Sequence, residues 1–322
     1  MNEEIFWQQL LQELEESKKA VFVEIIERKG SAPNAPRAKM YVTEAKAVGT
    51  VGGGLSEHRL VSTARKMIDE EATKVEKILL VHDGSGGVHK SGMVCSGSQI
   101  FALVPLDSKD ISTIKQIIAS FENDEPKIMR IDTTGIQVES YTTLPKKYVY
   151  TENADGTWLY QEIIGLRNKL IIIGGGHVSL ALSQIMKFLD FHVTVLDNRE
   201  GLETMKANTY ANEKKVISYQ EIERYIPEGQ HVYVAIMSFG HKSDEFLLEK
   251  LVGRNYKYLG LMASKSKKKT LFSNLEAKGI SRELLEKVHT PIGVSINSIT
   301  PEEIAISIAA EIIAVKNAVA KY

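Results

Sequence analysis

The chain has 322 residues, enough for two domains of ordinary size that each bury a core, so neither a disulfide nor a structural metal is needed merely to fold. Hydrophobic residues make up 43% and charged residues 25%, a composition that excludes extended disorder. With 40 Lys and Arg against 41 Asp and Glu the formal charge is −1, so no global basic field draws the chain to nucleic acid or an anionic membrane, and an anionic ligand has to be held locally.

The chain opens on an acidic amphipathic segment with Ile5, Phe6, Leu10, Leu11 and Leu14 at helical spacing. It lacks the apolar core and cleavage site of a signal peptide and predicts a surface helix. The β-branched run Val21 to Ile26 predicts a buried strand, and Lys39 to Thr43 a second one. Gly49-Thr50-Val51-Gly52-Gly53-Gly54 then leads into a helix ending near Glu71. Two readings of this run stand: an anion-binding turn built on Gly52, Gly53 and Gly54, with Glu57 three residues on, or a tight structural bend. A strand at Ile78 to His82, a Gly-rich loop from Asp83 to Gly97 and a strand at Gln99 to Pro105 complete an α+β region.

The single cysteine, Cys95, has small neighbours that would leave its thiol accessible; a buried, inert cysteine is the alternative. It cannot pair within the chain, which points to a reducing, cytoplasmic setting. His82, Asp83, His89 and Cys95 match no zinc spacing. Residues 106–166 read as a looser connecting tract, with a helix at Ile111 to Phe121, a strand near Lys127 to Ile131 and a hairpin turn at Asp155-Gly156.

From Lys169 the pattern alternates strand and helix, which indicates a parallel sheet covered on both faces. Gly174-Gly175-Gly176-His177-Val178-Ser179 follows an apolar strand and opens a helix; it is a dinucleotide fingerprint with Ser179 at the third glycine position. Gly174 permits the tight turn and Gly176 the approach of a phosphate to the helix N-terminus. His177 either faces solvent at the helix start or touches the ligand. Asp197 ends the strand HVTVLD at the spacing of a carboxylate that accepts from a ribose 2′-OH. Ser264 and Lys265 follow a later strand and form either a phosphate site or a solvated basic helix start; they are expected to turn inward ahead of Lys267, Lys268 and Lys269. The most apolar stretch, Ile304 to Val319, is interrupted by Glu311 and Lys316, so no membrane span is expected. The fold class is α/β: an N-terminal α+β domain over 1–165 and a Rossmann-like parallel-sheet domain over 166–322.

Taken together, six ordered segments resemble the xanthine dehydrogenase accessory-factor family (XdhC/CoxI type). They are Gly30-Ser31-Ala32-Pro33 with Lys39-Met40, the Gly49–Gly54 run with Glu57, Gly92-Met93-Val94-Cys95, GGGHVS, YLGLMASKSKKK, and His289-Thr290-Pro291-Ile292-Gly293 followed by Thr300-Pro301-Glu302-Glu303 and Ala310-Glu311-Ile312. The resemblance implies a chaperone that binds molybdenum cofactor (molybdopterin), assists its sulfuration and passes it to a molybdenum hydroxylase such as xanthine dehydrogenase, with a cofactor sulfurase as a further partner and no turnover of its own. The family's cysteine motif maps onto Cys95, a possible molybdenum contact, and its glycine motifs onto Gly52–Gly54 and Gly174–Gly176. The competing reading is an NAD(P)-dependent oxidoreductase, resting on the glycine fingerprint and Asp197, with His177, His241 or Lys265 as general acid; a catalytically silent scaffold is a third. A homodimer is expected, since the Ile and Ala face of the C-terminal helix could bury in a partner, or equally pack on its own sheet.

Overall fold

The structure, a computed structural model, describes residues 2–16, 18–30, 34–82, 86–87, 90–91, 97–142 and 144–318. These divide into two compact units, Met1–Leu166 and Arg167–Tyr322.

The first unit opens with α1 (Glu3–Glu15), capped by the Asn2 side chain, which accepts from the Ile5 N–H. Its periodic positions Phe6, Trp7, Leu10 and Leu14 are buried, so it is a core helix on that face. There follow β1 (Ala20–Gly30), β2 (Lys39–Val42), β3 (Ala47–Gly49), α2 (Gly54–Asp69), β4 (Glu76–His82), β5 (Gly86–Gly87), β6 (Lys90–Ser91) and β7 (Gly97–Leu106). They form a sheet in the order β3-β2-β1-β7-β4-β6-β5, antiparallel except where β4 meets β6. The strand β1 is apolar almost without alternation because both its faces are covered. Val21, Val23 and Ile25 pack with Leu60, Ala64 and Met67 of α2, while Ala20, Phe22 and Ile26 pack with α1.

The tract 106–166 is not a loose connection. It holds α3 (Ile111–Glu122) and a second antiparallel sheet of β8 (Lys127–Asp132), β9 (Gly135–Ser140), β10 (Tyr148–Glu152) and β11 (Trp158–Ile164), ordered β10-β11-β8-β9. Met129, Ile131, Trp158, Tyr160 and Ile164 share one core with α1, α3 and β1. The short, partly polar strands conceal the sheet in the sequence: β11 buries only alternate residues, β9 one and β10 none.

The second unit runs β12 (Lys169–Ile173), α4 (His177–Phe188), β13 (His192–Asp197), α5 (Glu203–Ala207), β14 (Glu213–Val216), β15 (Gly229–Ile236), α6 (His241–Leu251), β16 (Tyr256–Leu261), α7 (Lys265–Ala277), α8 (Arg282–Glu286) and α9 (Pro301–Asn317). The sheet is wholly parallel, ordered β14-β13-β12-β15-β16, so the strand order reverses between β12 and β15. Ligands of such sheets bind at the carboxyl ends beside that switch. Ile171, Ile173, Val234 and Ile236 pack with α6 and α7, and Leu170, Ile172, Val193 and Ala235 with α4 and α9.

The apolar face of α9, Ala305, Ile308, Ala309 and Ile312, is buried in this second core. The feature behind the expected homodimer is therefore used within the unit. The His289–Gly293 segment extends the sheet edge. His289 N–H donates to the Leu259 carbonyl, and the His289 carbonyl accepts from Leu261 N–H, each at 2.9 Å. From α9, Glu311 accepts from Gly293 N–H at 2.9 Å and from the Tyr258 hydroxyl at 2.5 Å, which ties the segment down. No helix among the described residues is long and apolar enough to cross a membrane.

Candidate functional site

The carboxyl ends of β12, β13, β15 and β16 bring the second unit's candidate residues to one sheet edge. Gly174, at φ +119°, has no room for a side chain: a Cβ would meet the Met237 carbonyl at the end of β15. Its N–H donates to the Leu196 carbonyl at 2.7 Å. Gly175 is equally enclosed, against Met205 of α5; its N–H donates to Asp197 at 2.7 Å and its carbonyl accepts from the Thr204 hydroxyl. Gly176 differs. A Cβ there would meet nothing, and as the N-cap of α4 it has no side chain to engage the first-turn N–H groups. Those groups are left for an external acceptor in open space, which suits a phosphate. His177 follows as the first residue of α4 and is exposed.

Asp197 departs from the expected ribose role. It is fully buried, and both oxygens are engaged: Oδ1 by the Arg199 backbone N–H at 2.9 Å and Nε at 3.0 Å, Oδ2 by Gly175 N–H at 2.7 Å and Arg199 Nη2 at 2.8 Å. Burial alone would raise this carboxyl, but the hydrogen bonds from Arg199 and Gly175 outweigh it and hold it below the usual carboxylate range. Its work is to fix the glycine turn and Arg199. The Arg199 guanidinium lies 5.3 Å from the ring centre of Phe239, which is 80% exposed on the loop after β15.

Ser264 and Lys265 do not turn inward. Ser264 is the N-cap of α7, its hydroxyl accepting from Lys267 N–H at 3.2 Å, and both residues are exposed. Lys267 and Lys268 face the body, since at about 100° per residue Lys267 lies on the side of the helix opposite Lys265, while Lys269 is exposed. Lys267 Nζ reaches buried Asp244 at 2.5 Å, the same carboxylate that accepts from the Ser238 hydroxyl at 2.5 Å, and Lys268 donates to the Thr290 carbonyl at 2.9 Å. Sequence reasoning missed Arg199, Ser238, Asp244 and Lys267. The only signal for the last was its place three residues after a capping serine.

In the first unit the glycine run holds an anion of its own. Glu57 Oε2 accepts from the Thr50 hydroxyl at 2.6 Å, Val51 N–H at 2.8 Å and Gly53 N–H at 3.0 Å. Burial would raise Glu57, yet these bonds prevail and lower it. Gly52, Gly53 and Gly54 all take positive φ, so the turn needs glycine, but its inward N–H groups are already satisfied by the chain itself. It reads as the structural bend rather than an anion site. Cys95, with Asp83 and His89, lies outside the described residues, as do Ser31, Ala32 and Pro33. Among the described residues no group of three or more His, Cys, Asp or Glu is placed to hold a metal ion.

A parallel sheet in this order, with a glycine turn feeding an uncapped helix start, is of the Rossmann class. The family model "XdhC Rossmann domain" matches residues 170–312 and "XdhC and CoxI family" matches 13–79; the chain belongs to the XdhC and CoxI family. It is 24% identical over 298 residues to the Escherichia coli protein named "Uncharacterized protein YqeB", covering 91% of this chain and 43% of that one. It is 24% identical over 164 residues to a Bacillus subtilis protein named as a probable xanthine dehydrogenase component, covering 51% of this chain and 48% of that one. The chain thus spans about half the length of the curated relatives it matches. A crystal structure described as a xanthine dehydrogenase from Bacillus halodurans superposes with a TM-score of 0.73 at 24% identity, covering 100% of this chain and 98% of the other, which establishes the shared fold.

Proposed function

We propose that this chain is an accessory protein to a xanthine dehydrogenase-type molybdenum hydroxylase, and that it binds molybdenum cofactor by its phosphate at the start of α4. Family membership and the names of two relatives support the accessory role. One observation carries the binding role: the open, uncapped N-terminus of α4 at Gly176, in a turn whose other glycines are packed shut.

The residues present fit a phosphate there. Gly176 and His177 offer backbone N–H groups, and the helix dipole favours the negative charge. Asp197 positions the turn through Gly175, so the donors are in place before the ligand arrives. The cofactor, when bound, supplies molybdenum redox chemistry to the client enzyme; this chain's residues bind and orient it. The first-unit glycine turn takes no part, because Glu57 occupies it. Sulfuration with a cofactor sulfurase, and a thiol role for Cys95, belong to the proposal through the family alone.

The oxidoreductase reading with NAD(P) is weaker, since a ribose diol would have to displace Arg199 from both oxygens of Asp197. Calorimetric titration of the protein with molybdopterin under anaerobic reducing conditions, with NAD and NADP in parallel, separates the two. Saturable pterin binding without nicotinamide binding is the expected result; affinity for a nicotinamide dinucleotide alone would overturn the proposal.

A further inference from the structure

Away from the glycine turns, the first unit buries a group of charges that no motif announces. Glu24 of β1 and Glu162 of β11 are both fully buried. Lys39 Nζ of β2 lies 2.6 Å from Glu162 Oε1, 3.7 Å from Glu24 Oε1 and 2.6 Å from Glu3 Oε1 of α1. Arg37 Nε lies 3.0 Å from Glu162 Oε2, and its Nη2 lies 3.8 Å from Glu3 Oε2. The Tyr160 hydroxyl bridges the buried pair, 3.2 Å from Glu24 and 3.1 Å from Glu162. Glu24 Oε2 has no hydrogen-bond partner among the described residues.

Burial first, and the adjacent Glu162 charge second, push the Glu24 carboxyl well above the usual range. Glu162, although buried, is held low by Lys39 and Arg37. Lys39 and Arg37 both contact the Glu162 carboxylate, and Glu3 adds a carboxylate contact to each of them from the rim. Glu162 is fixed on a strand inside the core, whereas Glu3 is partly exposed in the first turn of α1, at the edge of the group. Above the two cations opens a cleft of about 230 Å³ lined by Glu3, Phe6, Arg37, Lys39, Gly49 and Thr50. Its wall at Gly49 is bare by necessity: φ is +94° there, and a Cβ would press on the Lys39 carbonyl at 2.5 Å.

We propose that this cleft binds a small carboxylate with an apolar body, whose acid group replaces that of Glu3 on Lys39 and Arg37 and whose body lies beside Phe6. Glu3 is the template: a carboxylate with one oxygen on the ammonium and the other turned to the guanidinium. The site stands apart from the cofactor reading and does not depend on it.

Calorimetric titration of the full chain with benzoate tests it, with acetate and inorganic phosphate as controls. Glu3→Gln removes the internal competitor and is expected to bind benzoate at least tenfold more tightly than the wild type, with acetate weaker and phosphate not bound. Lys39→Met is expected to abolish binding; because it leaves Glu162 without its ammonium and can compromise folding, Glu3→Gln decides. No gain in benzoate affinity in a folded Glu3→Gln protein would show that the charges only join the two sheets, and would overturn the proposal.

Discussion

Asp197 illustrates how one residue can sit where a motif requires it and do another job. Its position at the end of β13 was legible in the sequence, but its partners were not, because Arg199 lies on a loop whose course no periodicity fixes. Asp197→Asn is expected to destabilise the protein by roughly 3 kcal/mol, the scale for breaking a buried ion pair, measured by urea denaturation; a change below ~1 kcal/mol would contradict the role given to it. Its folded pKa is lowered from an ordinary 3.8, so the folded state holds fewer protons than the unfolded chain just below that value. The stabilisation is complete above the ordinary value and is lost as pH falls through the lower folded one. Denaturation midpoints of Asp197→Asn and wild type should therefore converge at strongly acid pH. Ser179, at the third fingerprint position, is buried with its hydroxyl unpartnered among the described residues. Ser179→Ala is expected to leave stability unchanged or raise it by up to ~1 kcal/mol, since an unsatisfied hydroxyl is removed; a clear loss would mean that the hydroxyl has a partner.

At the level of elements, the strand before Gly174, the helix after it and the strand HVTVLD were readable from their apolar pattern, whereas the polar β14, the short α5 and α8, and the start of α9, where Thr300, Pro301 and Glu303 form a capping box, were not. Thr300 accepts from Glu303 N–H at 3.3 Å, and Glu303 accepts from Thr300 N–H at 3.1 Å. Thr300→Ala should cost about 1 kcal/mol, visible as a lowered thermal midpoint. In the first unit's second sheet the strand β8 and the β10–β11 hairpin turn at Asp155-Gly156 were readable, but not their joining into one sheet, and neither was the buried Glu24. A glutamate in the middle of a β-branched run looks like a solvent-facing position until its partners from β2 and β11 are known.

For the whole molecule, the order of strands was beyond the sequence, yet it decides where the site lies: the reversal between β12 and β15 sets the Gly174 turn against Met237 and leaves Gly176 open. The core clusters of residues 170–312 contain only residues of the second unit. Residues 167–322 expressed alone are therefore expected to fold and to melt in one cooperative transition followed by circular dichroism; a broad, non-cooperative melt would show that this core is not self-sufficient.

The central claim is that the open start of α4 receives the cofactor phosphate, and Gly176→Asp tests it most directly. Gly176 has an extended backbone that any residue adopts, and aspartate is among the best N-caps, so the variant should fold with an unchanged or raised thermal midpoint. Its carboxylate, however, would take the first-turn N–H groups and repel an incoming phosphate. Anaerobic titration with molybdopterin should show affinity reduced at least tenfold against the wild type. Equal affinity in a folded Gly176→Asp protein would contradict the account and move the cofactor away from this turn.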